Sequence, residues 1–131
     1  MRIGELAQAA AVSAKTIRFY EQTGLLPAPP RTTGGYRDYD PDTAHRLEFI
    51  RTAQAAGLPL TEIRDILAIR DTGQAPCAHV SDLLDRHLDT VRHRIADLRA
   101  TERHLRKLKT RASTYTATTC NSTDVCGIFT R

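Results

Sequence analysis

Ser13-Ala14-Lys15-Thr16-Ile17-Arg18-Phe19-Tyr20-Glu21-Gln22 is followed by Gly24-Leu25-Leu26 and then, beyond Pro27-Ala28-Pro29-Pro30, by Arg31-Thr32-Thr33-Gly34-Gly35-Tyr36-Arg37-Asp38-Tyr39. Ser13 is a good N-cap and Gly24 a good stop, so Ala14 to Gln22 reads as a short helix. Just before it, residues 3–9 place Ile3, Leu6 and Ala10 on one helical face, with Val12 in the tight turn between the two helices. The prolines and the Gly34-Gly35 pair then specify a loop that doubles back as a small hairpin. Two short helices and a wing result.

This stretch also concentrates the chemistry of nucleic-acid contact. Lys15, Arg18 and Tyr20 project from a helix short enough to enter a major groove by its N-terminal end. Around the glycine turn, Arg31, Tyr36 and Arg37 put two cations and a phenol where they can reach phosphates flanking a groove.

Working outward, Asp40-Pro41 suits a helix start, giving a third helix that ends at Ala56 before Gly57, with Leu47, Phe49 and Ile50 partly buried. Thr61 to Arg70 follows as a fourth, carrying Ile63, Ile66, Leu67 and Ile69, and Asp71-Thr72-Gly73-Gln74-Ala75-Pro76 breaks the chain. From His79 to Arg111 there is neither Gly nor Pro. Leu84, Leu88, Val91, Ile95, Leu98 and Leu105 fall on alternating steps of four and three, interrupted only at Glu102. A long helix with one apolar seam and no second long helix to cover it needs a partner, and a second copy of the chain is the simplest one. The expected organisation is a DNA-binding domain at 1–70, a hinge at 71–78, a dimerisation helix at 79–111 and a C-terminal loop at 112–131.

Composition narrows the classes without locating the site. The 131 residues are 40% hydrophobic, 26% charged and 5% aromatic, which fits one small aliphatic core. Lys and Arg exceed Asp and Glu by nine to eight in residues 1–70 and by ten to seven in 71–131, so net charge does not mark a DNA-binding face. No apolar run has the length of a signal peptide or membrane span, which places the protein in the cytoplasm with its three cysteines reduced. A thiol enzyme built on Cys77 and His79 is disfavoured, because neighbours at i and i+2 do not face each other on a helix and no oxyanion loop accompanies them. No catalytic residue is assigned.

Ile17 to Glu21, Gly24-Leu25-Leu26 and Gly35 to Tyr39, in this order and spacing, resemble the MerR family of winged-helix regulators, over residues 1–112. The resemblance implies an all-α-dominated fold: a winged helix-turn-helix with a small β-wing, a long antiparallel coiled-coil dimerisation helix and a C-terminal metal-binding loop. It implies that Arg18 and Tyr20 meet the DNA backbone, that Lys15 lies close to the groove, that Arg31, Tyr36 and Arg37 sit on flanking phosphates, and that Phe19 and Tyr39 are core residues. It also implies a homodimer on an over-long promoter spacer, which activates by bending and untwisting the DNA so that RNA polymerase meets both promoter elements.

Cys77 stands at the mouth of the long helix, and Cys120 and Cys126 share the C-terminal loop. Three thiolates make a trigonal site for a thiophilic divalent ion such as Hg(II), Cd(II) or Pb(II). Zinc would require a fourth ligand, for which His79 or Asp124 is available. A helix from His79 to Arg111 spans roughly 48 Å, whereas nine residues of chain reach at most about 30 Å. Cys120 therefore cannot return to its own Cys77, and in an antiparallel dimer the site is shared between subunits. The alternative is a redox- or drug-responsive regulator of the same type, but three cysteines fall one short of an iron–sulfur set and the polar tail forms no sizeable drug pocket.

Overall fold

The computed structural model describes residues 1–116 and 125–129. Five helices lie among them: α1 (Ile3–Ala10), α2 (Ala14–Gln22), α3 (Thr43–Ala55), α4 (Leu60–Asp71) and α5 (Cys77–Ala112). The chain divides into two compact units, Met1–Val80 and a second that begins at Ser81.

In the first unit α1 packs on α2 and α3, and α3 packs on α4. The shared core is aliphatic, with Leu6, Ile17, Leu25, Leu26, Leu47, Ile50, Ile63 and Ile66 all fully buried. Burial of each such side chain contributes about 2 kcal/mol. The α1–α2 turn is tight because Ala11 takes a left-handed conformation (φ 55°) and Val12 N–H reaches back to Ala7 O at 3.1 Å. Ser13 then caps α2, its Oγ accepting the Thr16 N–H at 3.0 Å.

The start of α3 differs from the expected Asp40-Pro41. The Asp40 carboxylate accepts the Asp42 N–H at 2.9 Å and its carbonyl accepts the Thr43 N–H at 2.9 Å, so Asp40 to Asp42 form a turn that precedes the helix. Arg46 joins three elements from α3. Its Nε donates to Leu25 O just beyond α2 (2.8 Å), and its two terminal nitrogens grip both oxygens of Asp71 at the end of α4 (2.7 and 3.1 Å). The guanidinium holds the Asp71 carboxyl below its usual range.

In the second unit α5 is the dominant element. The helix is 36 residues long, or about 54 Å. It begins two residues before the expected His79, so Cys77 lies within its first turn. Leu84, Leu88, Val91, Ile95, Leu98 and Leu105 are exposed by 42–69% along it, leaving the seam uncovered within one chain. At its C-terminal end Arg111 donates to Gly127 O at 2.9 Å, and the Tyr115 ring lies so close to Gly127 that a Cβ there would meet Cε1 at 2.6 Å. Cys126 to Phe129 form a turn closed by Phe129 N–H on Cys126 O at 3.1 Å.

Candidate nucleic-acid interface and cysteine site

α2 turns Ile17 and Tyr20 into the core and leaves Lys15 and Arg18 exposed. Tyr20 is thus not a free surface phenol: its ring is buried and its hydroxyl donates to Gln54 Oε1 at 3.2 Å. Phe19, expected in the core, is 47% exposed. The reason is helical geometry. With Ile17 and Tyr20 three apart defining the inward face, the residue between them at i+2 points away from it.

The wing is a tight hairpin closed by one isolated antiparallel bridge between Arg31 and Arg37. Gly35 N–H bonds Thr32 O at 2.9 Å and Thr32 N–H bonds Tyr36 O at 2.7 Å, with Gly35 at φ 82°. This is a turn followed by one left-handed residue, the three-residue hairpin geometry that glycine favours. Gly34 serves a different purpose, since a Cβ there would press to 3.3 Å of the Tyr36 ring.

Glu21, on α2, fixes the wing's return strand. Its carboxylate accepts from Arg37 Nε at 3.3 Å and from the Tyr39 hydroxyl. Burial, and then the bond to Glu21, pushes the Tyr39 hydroxyl up to about 12. Glu21 received no role from the sequence, although an acid one turn beyond buried Ile17 requires a partner. Arg31 donates from one terminal nitrogen to Gly35 O at 2.9 Å and is otherwise exposed.

Four of the six residues expected at the DNA therefore converge. Arg18, Arg31, Tyr36 and Arg37 line one cleft of about 210 Å³ between α2, the wing and the start of α1, while Lys15 and Tyr20 lie outside its lining. A fourth arginine completes it. Arg2, which the sequence reading passed over, lies 4.3 Å over the Tyr36 ring. The signal available was a cation at the N-cap of α1, where Ser, Thr, Asp or Asn is preferred.

Of the expected metal ligands, Cys77 is exposed in the first turn of α5 and Cys126 is half-buried in the C-terminal turn. Cys120 and Asp124 lie outside the described residues. His79 buries its Nε2 with no hydrogen-bond partner. Among the described residues no three His, Cys, Asp or Glu side chains gather into a cluster.

Comparison with known proteins joins these features. The sequence profile of the "MerR HTH family regulatory protein" matches residues 1–69, and that of "MerR, DNA binding" matches residues 44–108. The mercuric resistance operon regulatory protein of Bacillus cereus is 42% identical over 110 residues, which cover 84% of this chain and 83% of that one. The chain belongs to the MerR family. Another MerR-type relative, the transcriptional regulator ZntR of Escherichia coli K12, is 40% identical over 108 residues, covering 82% of this chain and 77% of its own. A solved structure, the transcription regulator PbrR691 from Ralstonia metallidurans CH34 in complex with lead(II), superposes with a TM-score of 0.72 at 41% identity, covering 98% of this chain and 95% of that one. As a MerR-family member the chain is a DNA-binding transcription regulator and not an enzyme. None of its described helices is long and apolar enough to cross a membrane.

Proposed function

We propose that this chain binds promoter DNA as a homodimer in the cytoplasm and, in response to a thiophilic divalent ion, activates transcription by distorting that DNA for RNA polymerase. The effector is Hg(II), Cd(II), Pb(II) or Zn(II). The observation that carries this reading is α5: an uncovered apolar seam along a helix whose first residue is an exposed cysteine. Relatives named for mercury resistance and a lead-bound structural neighbour support the choice of ligand.

The residues fit such an ion. Cys77 is exposed and Cys126 half-buried, and thiolates are the donors that soft cations take. Antiparallel pairing of the α5 seams sets Cys77 of one subunit beside Cys120 and Cys126 of its partner. The Arg111–Tyr115 grip on Gly127 holds Cys126 against the end of α5. For zinc the fourth donor is His79 or Asp124, of which His79 buries an Nε2 that has no hydrogen-bond partner. Ligands drawn from two chains restrain the relation between the DNA-reading heads. Restraint then becomes distortion of the bound duplex, whose deformation energy carries the signal.

Transcription in vitro from the promoter upstream of the chain's own coding sequence tests this. With reduced protein, one or more of the four ions raises transcript yield at least several-fold, and Cys77→Ser abolishes the response while DNA binding persists. Yield indifferent to all four ions, or a Cys77→Ser variant that responds normally, would overturn the reading.

A further inference from the structure

We propose that Arg2 is a further DNA-phosphate contact and that Tyr36 is the residue that positions it. The inference rests on the DNA-binding reading above and extends it to the first turn of α1, which nothing in the recognition helix or the wing requires.

Arg2 occupies the N-cap of α1, where a cation faces the positive end of the helix dipole and supplies none of the side-chain acceptance that stabilises a helix start. Its side chain is therefore not there for the helix. It leads instead to the cleft, which four arginines, Arg2, Arg18, Arg31 and Arg37, line together with Tyr36 and which no acidic residue lines. A cleft bordered by four cations favours an anionic ligand. Two of the four already have protein partners, Arg31 on Gly35 O and Arg37 on Glu21. Arg2 lies over the face of an aromatic ring, an arrangement that orients a guanidinium without neutralising it and leaves its in-plane N–H donors for an oxygen ligand. The ring also packs beside the wing turn: a Cβ at Gly34 would come to 3.3 Å of it, so the glycine leaves room for the ring on the side from which it meets Arg2.

The ligand chemistry is a single phosphate group, and the favoured source is the duplex backbone, because the other cleft arginines come from the recognition helix and the wing. Fluorescence anisotropy with a labelled duplex from the chain's own upstream region, titrated with salt, provides the test, and inorganic phosphate alone, followed by calorimetry, provides the second arm. Arg2→Ala should weaken duplex binding about tenfold and lower the log–log salt slope by about one. Arg2→Lys should keep the slope and lose part of the affinity. Tyr36→Leu should weaken binding in the wild-type background and weaken it less in the Arg2→Ala background, where only its own phosphate contact is left to lose. Helix content and melting temperature should match wild type in every variant, which separates a contact from a folding defect.

Unchanged affinity and slope in Arg2→Ala, with Arg18→Ala weakened, would overturn this inference and leave the DNA-binding reading standing. Loss of effect in both variants would sink the assignment of this face to DNA. Full additivity of the Arg2 and Tyr36 changes would overturn the positioning role. Tight binding of inorganic phosphate, abolished by Arg2→Ala while the duplex is bound as before, would assign the cleft to a free anion and overturn the backbone contact.

Discussion

Glu21 connects α2 to the wing through one carboxylate, and the consequence is visible in Tyr39. Its hydroxyl is raised to about 12, first by burial and then by the hydrogen bond to Glu21, so the folded protein holds that proton more tightly than an unfolded chain would. The stability this bond contributes is fully present below the ordinary tyrosine value of about 10 and is lost as pH rises toward about 12. In a spectrophotometric titration of the four tyrosines one should ionise last, near pH 12, and Tyr39→Phe should remove that step. If all four ionise together near the usual value, Tyr39 is not held by Glu21. Asp71 works in the opposite direction: held down by Arg46, it stabilises the α3–α4 pair at neutral pH, and that contribution disappears in acid as the carboxyl protonates. Denaturation midpoints of Asp71→Asn and wild type should therefore differ at pH 7 and converge as the pH falls below the ordinary aspartate value of about 4. Parallel curves would leave the Arg46 grip without energetic weight. At this scale the sequence was legible only where spacing decides orientation. Arg18 and Lys15 could be placed outside, but choosing between Phe19 and Tyr20 requires knowing which side of α2 meets Gln54 of α3, and pairings such as Arg46 with Asp71 join residues that only the fold brings together.

At the scale of elements, hydrophobic periodicity carried most of the information. The seam from Leu84 to Leu105 and the inward positions of α4 follow from residue spacing, and the hairpin follows from Gly34-Gly35. Boundaries were less legible, because competing local hydrogen bonds set them. Asp40 uses both its carboxylate and its carbonyl to make a turn where a helix start was expected. The two wing glycines have separable roles. Gly35→Ala forces a residue with a Cβ into φ 82°, at about 1 kcal/mol, and Gly34→Ala brings a Cβ to 3.3 Å of the Tyr36 ring, which must shift slightly. Both should weaken duplex binding several-fold with no change in helix content by circular dichroism, since no helix includes either residue. Binding at wild-type strength would show that the wing does not touch DNA. For α5, Val91→Asp sets an acid in the middle of the exposed stripe, 49% accessible in one chain and covered in the proposed dimer. Unpaired burial of that charge in each subunit costs several kcal/mol, so the variant should sediment as a monomer. A dimer of unchanged stability would place the interface elsewhere.

At the scale of the whole molecule the question is whether sensing and assembly are one event. α5 runs without interruption for about 54 Å from Cys77, and Gly127 is held to Arg111 near its last turn, so Cys77 begins the helix and the Cys126 turn is fastened to its end. In the proposed reading, a site that uses all three cysteines is built from two chains. Complementation distinguishes this from a site within one chain. One variant carries Cys77→Ser and a second carries Cys120→Ser with Cys126→Ser, so that each homodimer lacks either its helix thiol or its loop pair at both sites. In a mixed dimer Cys77 of the second variant meets Cys120 and Cys126 of the first, and one complete site is regenerated. Co-expressed with different affinity tags and purified as a heterodimer, the pair should bind one ion per dimer with the thiolate-to-metal ultraviolet band of the wild type, and should activate transcription in part. If each site formed within a single chain, neither chain of the mixture would hold three cysteines, and the heterodimer would bind no better than its parents. That result would remove the mechanical link between the ion and the two DNA-reading heads, and activation would have to arise from a change within one subunit.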